Sequence, residues 1–117
     1  MIDTSSKEYA DQLGVQMRKG LLAYCVLSIC AHTGGSSSSD IIDRLSESSL
    51  LVVEGTMYPL LNRLQKDGLL THSWKESSHG PPRKYYHMSA MGSEVLAELK
   101  TTSDQLQQAI HSIETRG

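Results

Sequence analysis

The sequence predicts a mainly α-helical chain carrying one small β-hairpin. Apolar residues recur at helical spacing in four separate segments. Two short runs rich in Thr, Trp and Tyr flank a Gly-Pro-Pro turn signal. A narrow apolar seam also runs through the C-terminal segment.

The first helix is expected from about Tyr9 to His32, after a polar segment, 1–8, expected to fray. Leu13, Met17, Leu21, Cys25 and Ile29 fall at four-residue intervals, and Leu22, Val26 and Leu27 widen the stripe. Burial over most of that face follows. Thr33-Gly34-Gly35 stops the helix, since glycine reaches left-handed dihedrals at little cost.

A second helix, Asp40 to Ser46, buries Ile41, Ile42 and Leu45, and the serines at 36–39 supply its N-cap. Leu50 to Val53 reads as a short strand or an extended connector. The third helix, Glu54 to Lys66, turns Met57, Leu60, Leu61 and Leu64 inward. Pro59 must sit near its start or kink it. Asp67-Gly68 ends it.

The hairpin pairs Leu69–Glu76 with Arg83–Met88 through a turn at 77–82, and one of Tyr85 and Tyr86 should reach the core. Ser89 caps a final helix whose seam is Leu96, Leu99, Ser103, Leu106, Ile110 and Ile113. Over about 26 residues it would extend ~39 Å, more than this small body covers, so a second copy is expected on Leu96, Leu99, Leu106, Ile110 and Ile113. Three helices, a hairpin and a long helix is the winged helix-turn-helix order, with the domain at 1–88 and a dimerisation helix at 89–117.

Composition excludes several classes. The chain has 117 residues, net charge −2, 5 % aromatics and no Phe, so its core is thin and gains from a partner subunit. Residues 54–88 hold five Lys and Arg against three Asp and Glu, whereas the flanks are acidic. A local positive patch on an acidic body fits a DNA reader better than a nonspecific coat. The apolar run Leu21–Ala31 is too short to span a membrane, so a cytoplasmic location is expected. Cys25 and Cys30 read as core thiols, with no metal site, cofactor or catalytic residues expected.

Certain strings are specific. Met17-Arg18-Lys19-Gly20-Leu21-Leu22, Val53-Glu54-Gly55-Thr56-Met57-Tyr58-Pro59-Leu60-Leu61-Asn62-Arg63-Leu64 and Lys66-Asp67-Gly68-Leu69-Leu70 occur in order. Gly80-Pro81-Pro82-Arg83-Lys84-Tyr85-Tyr86, Ser89 and Gly92 complete the pattern. With these the chain resembles the PadR family of bacterial transcriptional repressors. The resemblance implies a winged helix, a dimerising C-terminal helix, and repression commonly relieved by a small-molecule effector. Family members usually carry an aromatic residue or glycine just before the second helix, where this chain has serines. That departure is expected to leave the DNA-reading elements untouched. The C-terminal helix has no tryptophan of the kind some drug-binding relatives stack on ligands, so a multidrug pocket is not expected.

The partner expected is a double-stranded DNA operator. Thr56, Tyr58, Asn62, Arg63 and Lys66 project from the third helix. Asn pairs with adenine and Arg with guanine in the major groove, while hydroxyls and Lys grip phosphate. Tyr58 has the alternative of packing inward. His79, Arg83 and Lys84 lie at or beside the wing tip. Arg63, Lys66, Arg83 and Lys84 should share one exposed patch. Trp74 is expected to be partly buried. The alternative reading is a winged-helix ligand-sensing or protein-docking module that does not bind DNA.

Overall fold

The computed structural model describes residues 4–50, 52 and 54–116. Its elements are α1 (Thr4–His32), α2 (Ser38–Glu47), α3 (Glu54–Lys66), β1 (Leu70–Ser77), β2 (Gly80–Met88) and α4 (Ala90–Arg116). This is the expected class and order.

Helix α1 starts earlier than expected: residues 4–8 are helical, and the rest of the segment expected to fray lies outside the described residues. Its burial is also narrower. Leu22, Val26, Leu27 and Cys30 are buried, whereas Leu13, Met17 and Leu21 remain 49, 68 and 46 % exposed. The core of the domain closes on its C-terminal turns, while nearer its N-terminus α1 meets α4 only across an open groove. The full helix is long enough, with a mean hydropathy of 1.2 over its most apolar stretch, to match a membrane crossing by length and composition. The shorter run considered in the sequence did not. Here the apolar C-terminal turns are the centre of the domain core, which is reason enough for their composition.

Two serine-led devices frame α2. Ser37 is the N-cap: its Oγ accepts from the Asp40 amide at 3.2 Å, and its own amide donates to Asp40 Oδ2 at 3.2 Å, a reciprocal capping box. At the other end Ser49 takes φ 66°, and the Leu50 amide reaches back to the Leu45 carbonyl at 2.8 Å. That is a Schellman closure with a serine where glycine is preferred. Of the connector that follows, Leu50 and Val52 are half-buried and form no strand, while its remaining two residues lie outside the described residues.

Helix α3 keeps Pro59 inside it. The missing amide leaves the Gly55 carbonyl without its intrahelical partner. Met57, Leu61 and Leu64 are buried and Leu60 is partly so. Gly68, at φ 84°, closes the helix: the Leu69 amide bonds the Leu64 carbonyl at 2.9 Å, and the Gly68 amide bonds Gln65 at 3.0 Å.

The hairpin is longer than expected and its turn is tighter. Ser77 pairs with Gly80, Lys75 with Arg83, and Leu70 with Met88. Only Ser78 and His79 lie between the strands, and Pro81 and Pro82 belong to β2. They sit where the register shifts beside Glu76, so their lack of amide donors costs no regular ladder bond. Ser36 adds one further rung: its amide donates to the Tyr86 carbonyl at 3.1 Å and its carbonyl accepts from the Tyr86 amide at 2.8 Å. Tyr86 is the tyrosine that reaches the core.

Ser89 caps α4, its Oγ accepting from the Gly92 amide at 2.9 Å. Gly92 is buried where α4 crosses the α3–β1 corner, and a Cβ there would collide with the Leu69 carbonyl. Backbone contact at this point demands glycine.

Candidate nucleic-acid interface

Helix α3 separates its residues cleanly by face. Tyr58, Asn62, Arg63 and Lys66 are exposed, opposite the buried Met57, Leu61 and Leu64. Thr56 stands apart from them: it is half-buried and turned toward α1, where it lines a cavity with Arg18, Lys19 and Leu22. Its neighbours place it at the edge of the exposed face.

Tyr58 points outward, 44 % exposed, and its hydroxyl accepts from Ser38 Oγ at 3.2 Å. Arg83 reaches the same end of α2. Its Nη2 lies 3.2 Å from Ser37 Oγ and 3.2 Å from Ser39 Oγ. A guanidinium at a helix N-terminus meets the positive end of the helix dipole, and the Asp40 carboxylate in the capping box offsets that repulsion. The serine run therefore does touch the proposed DNA-reading elements, contrary to the sequence expectation. It holds Tyr58 of α3 and Arg83 of β2 against the first turn of α2. The Ser37-x-x-Asp40 capping signal was present in the sequence, but partners 20 and 46 residues away were not legible there.

The wing does not present its cations on one face. Alternation along β2 sets Arg83 and Lys84 on opposite sides. Lys84 is half-buried with its ammonium 5.2 Å from the Tyr86 ring, on the core side. Lys75, which the sequence reading left out, pairs with Arg83 across the hairpin and shares its face, 5.7 Å from the Tyr85 ring. His79 is exposed at the turn. Trp74 is 63 % exposed, not packed, with His72 as its edge-on ring neighbour at 6.2 Å. Strand β1 is exposed from Thr71 onward because the hairpin extends beyond the helical body.

The seam of α4 divides in two. Leu96 and Leu99 are partly buried against this chain's own core, so they are less free for a second copy than expected. Leu106, Ile110 and Ile113 are 51, 50 and 74 % exposed. With Met17, Gly20 and Leu21 of α1, Leu106 and Ile110 line an apolar groove of about 350 Å³. The contribution of α1 was masked in the sequence because its stripe read as core.

Burial raises the thiol pKa of Cys30 to about 11 and pushes that of Cys25 upward. Both are free. Among the described residues no three His, Cys, Asp or Glu side chains gather as a metal site.

Comparison with known proteins gives one consistent result. The model of the transcriptional regulator PadR-like family matches residues 26–98. The crystal structure of a PadR-like transcription factor from Bacteroides fragilis is 45 % identical, with a TM-score of 0.72, over 87 % of this chain and 98 % of that one. A PadR-like transcriptional regulator from Bacillus cereus is 35 % identical, with a TM-score of 0.76, over 84 % of this chain and 95 % of the other. A PadR family regulator from Eggerthella lenta, at 24 % identity, shares the fold with a TM-score of 0.85 over 95 % of this chain and 96 % of that one. An uncharacterized protein of Lysinibacillus sphaericus is 31 % identical over 65 residues, which are 56 % of this chain and 60 % of that protein.

Proposed function

Since the chain belongs to the PadR-like family of transcriptional regulators and is a DNA-binding regulator rather than an enzyme, we propose that it acts in the cytoplasm as a homodimeric repressor. In this reading α3 enters the major groove of an operator and a small-molecule effector relieves binding. The observation that carries it is the exposed face of α3, where Asn62, Arg63 and Lys66 stand free beside Tyr58. Asn62 and Arg63 supply base-edge contacts, while Tyr58, Lys66, Lys75 and His79 hold phosphate. Thr56 is kept as an edge contact. Arg83 acts chiefly by fixing the wing to α2, and Lys84 contributes from the hairpin's other side.

The groove between α1 and α4 supports the dimer. It places Met17 and Leu21 beside Leu106 and Ile110, all exposed in one chain. Operator reading requires that pairing to set two α3 helices about 34 Å apart, one turn of duplex. Mapping of bound sites across the host genome should recover an inverted repeat with half-sites one turn apart. A map without any such motif would defeat the operator claim.

A further inference from the structure

On the side of α1 away from the dimer groove lies a trough that includes the cavity beside Thr56. One part, about 170 Å³, is lined by Val15, Arg18, Lys19, Leu22, Leu50, Val52 and Thr56. The adjoining part, about 300 Å³, shares Lys19, Leu22 and Thr56 and adds Pro59, Leu60 and Arg63. The two adjoin between α1 and α3, where they share Lys19, Leu22 and Thr56. The trough's floor is aliphatic, supplied by Leu22, Leu60, Leu50 and Val52. Its rim carries Arg18, Lys19 and Arg63, and among the described residues no carboxylate lines either part. Among the described residues none of the three cations makes an ion pair or a side-chain hydrogen bond. Successive residues of a helix turn by about 100°, so Val15, Lys19 and Leu22 lie opposite Met17, Gly20 and Leu21. A dimer closed over the latter set leaves the trough open.

We propose that this trough binds an amphipathic carboxylate whose hydrocarbon part is a short aliphatic group. A cavity of roughly 150 Å³ lined by apolar side chains accepts a hydrocarbon the size of benzene, so the 170 Å³ part has room for about six carbons. Three cations with no acidic partner favour an anionic head, and Arg18 or Arg63 can meet a carboxylate in a fork geometry. Thr56 and Arg63 belong to α3, so an occupied trough draws Arg63 away from DNA and places negative charge beside the phosphates. The site thereby supplies the effector in the function proposed above and rests on that reading for its consequence only.

The test uses the full chain and octanoate, with octanol and octylamine as controls. Calorimetry without DNA should give one octanoate per chain with a submillimolar Kd, and about tenfold weaker binding for each control. Lys19→Gln and, separately, Arg18→Gln should each weaken octanoate by about tenfold while the thermal midpoint and dimer mass stay unchanged. No binding at about 5 mM octanoate, or equal binding of octylamine, overturns the site. Insensitivity to both variants overturns it as well. A random-sequence duplex followed by anisotropy, with no ligand present, separately tests DNA binding. If the duplex binds and octanoate binds without displacing it, the site stands and its effector role fails.

Discussion

Arg83 Nη2 stands 3.2 Å from Ser37 Oγ, so strand β2 is tied to the N-cap of a helix 46 residues earlier in the chain. With the second bond to Ser39, one guanidinium fixes the wing's angle relative to the helix-turn-helix. Arg83→Ala should cost about 1 kcal/mol of stability, the worth of exposed charge-assisted bonds. It should also raise amide exchange throughout 80–86. Arg83→Lys should recover charge but not the double contact, because an ammonium lacks the planar fork. Unchanged exchange in Arg83→Ala would show that the wing is held by other means.

Gly92 has backbone where a side chain would need to be. Its Cβ would meet the Leu69 carbonyl oxygen and lie 3.1 Å from the carbonyl carbon. Gly92→Ala should therefore destabilise the chain by about 2–3 kcal/mol, despite alanine's higher helix propensity. Urea unfolding measures this. A neutral or stabilising result would mean that α4 crosses the α3–β1 corner at a greater distance.

The dimer proposal depends on apolar residues that one chain leaves exposed. Ile110→Glu should leave the fold of each chain intact, since Ile110 is 50 % exposed within it. It should shift sedimentation from dimer to monomer at micromolar concentration and weaken operator binding with it. A variant that remains dimeric would move the interface elsewhere.

Cys30 makes a prediction about alkaline stability. Burial raises its pKa from 9.0 to about 11. The unfolded thiol ionises first, so the stability held by the neutral folded form is complete below pH 9 and declines as pH rises toward 11. Cys30→Ala should flatten the loss over that window while costing some packing. At neutral pH the folded protein should react slowly with thiol reagents, and denaturant should release the reaction. Rapid labelling at Cys30 itself in the native protein would contradict its burial.

Helix positions were legible because periodicity and capping are local. Glu54 to Lys66 is bounded by the same residues in sequence and structure, since Gly68 and the apolar spacing both mark it. The Ser89 cap was legible for the same reason, and strand alternation showed that one of Tyr85 and Tyr86 faces the core but not which of them. What escaped was long-range. Nothing near Ser36 announces a bridge to Tyr86, and nothing near Arg83 announces serines on α2. Trp74 was misjudged because hydrophobicity predicts burial only where the body extends far enough to cover the residue. The stripe of α1 looked like core from end to end, yet its N-terminal half packs on nothing in the described chain that covers Met17.

The central claim is that the exposed face of α3 reads DNA in a dimer. Fluorescence anisotropy with an inverted-repeat operator and a random duplex of equal length tests it most directly, for the wild type and Arg63→Ala. Wild type should prefer the operator by at least about 10³-fold, with affinity falling as salt rises. Arg63→Ala should lose about 1–3 kcal/mol on the operator and remain dimeric. Equal affinity of the wild type for both duplexes, or an Arg63→Ala protein that binds the operator undiminished, would contradict the account.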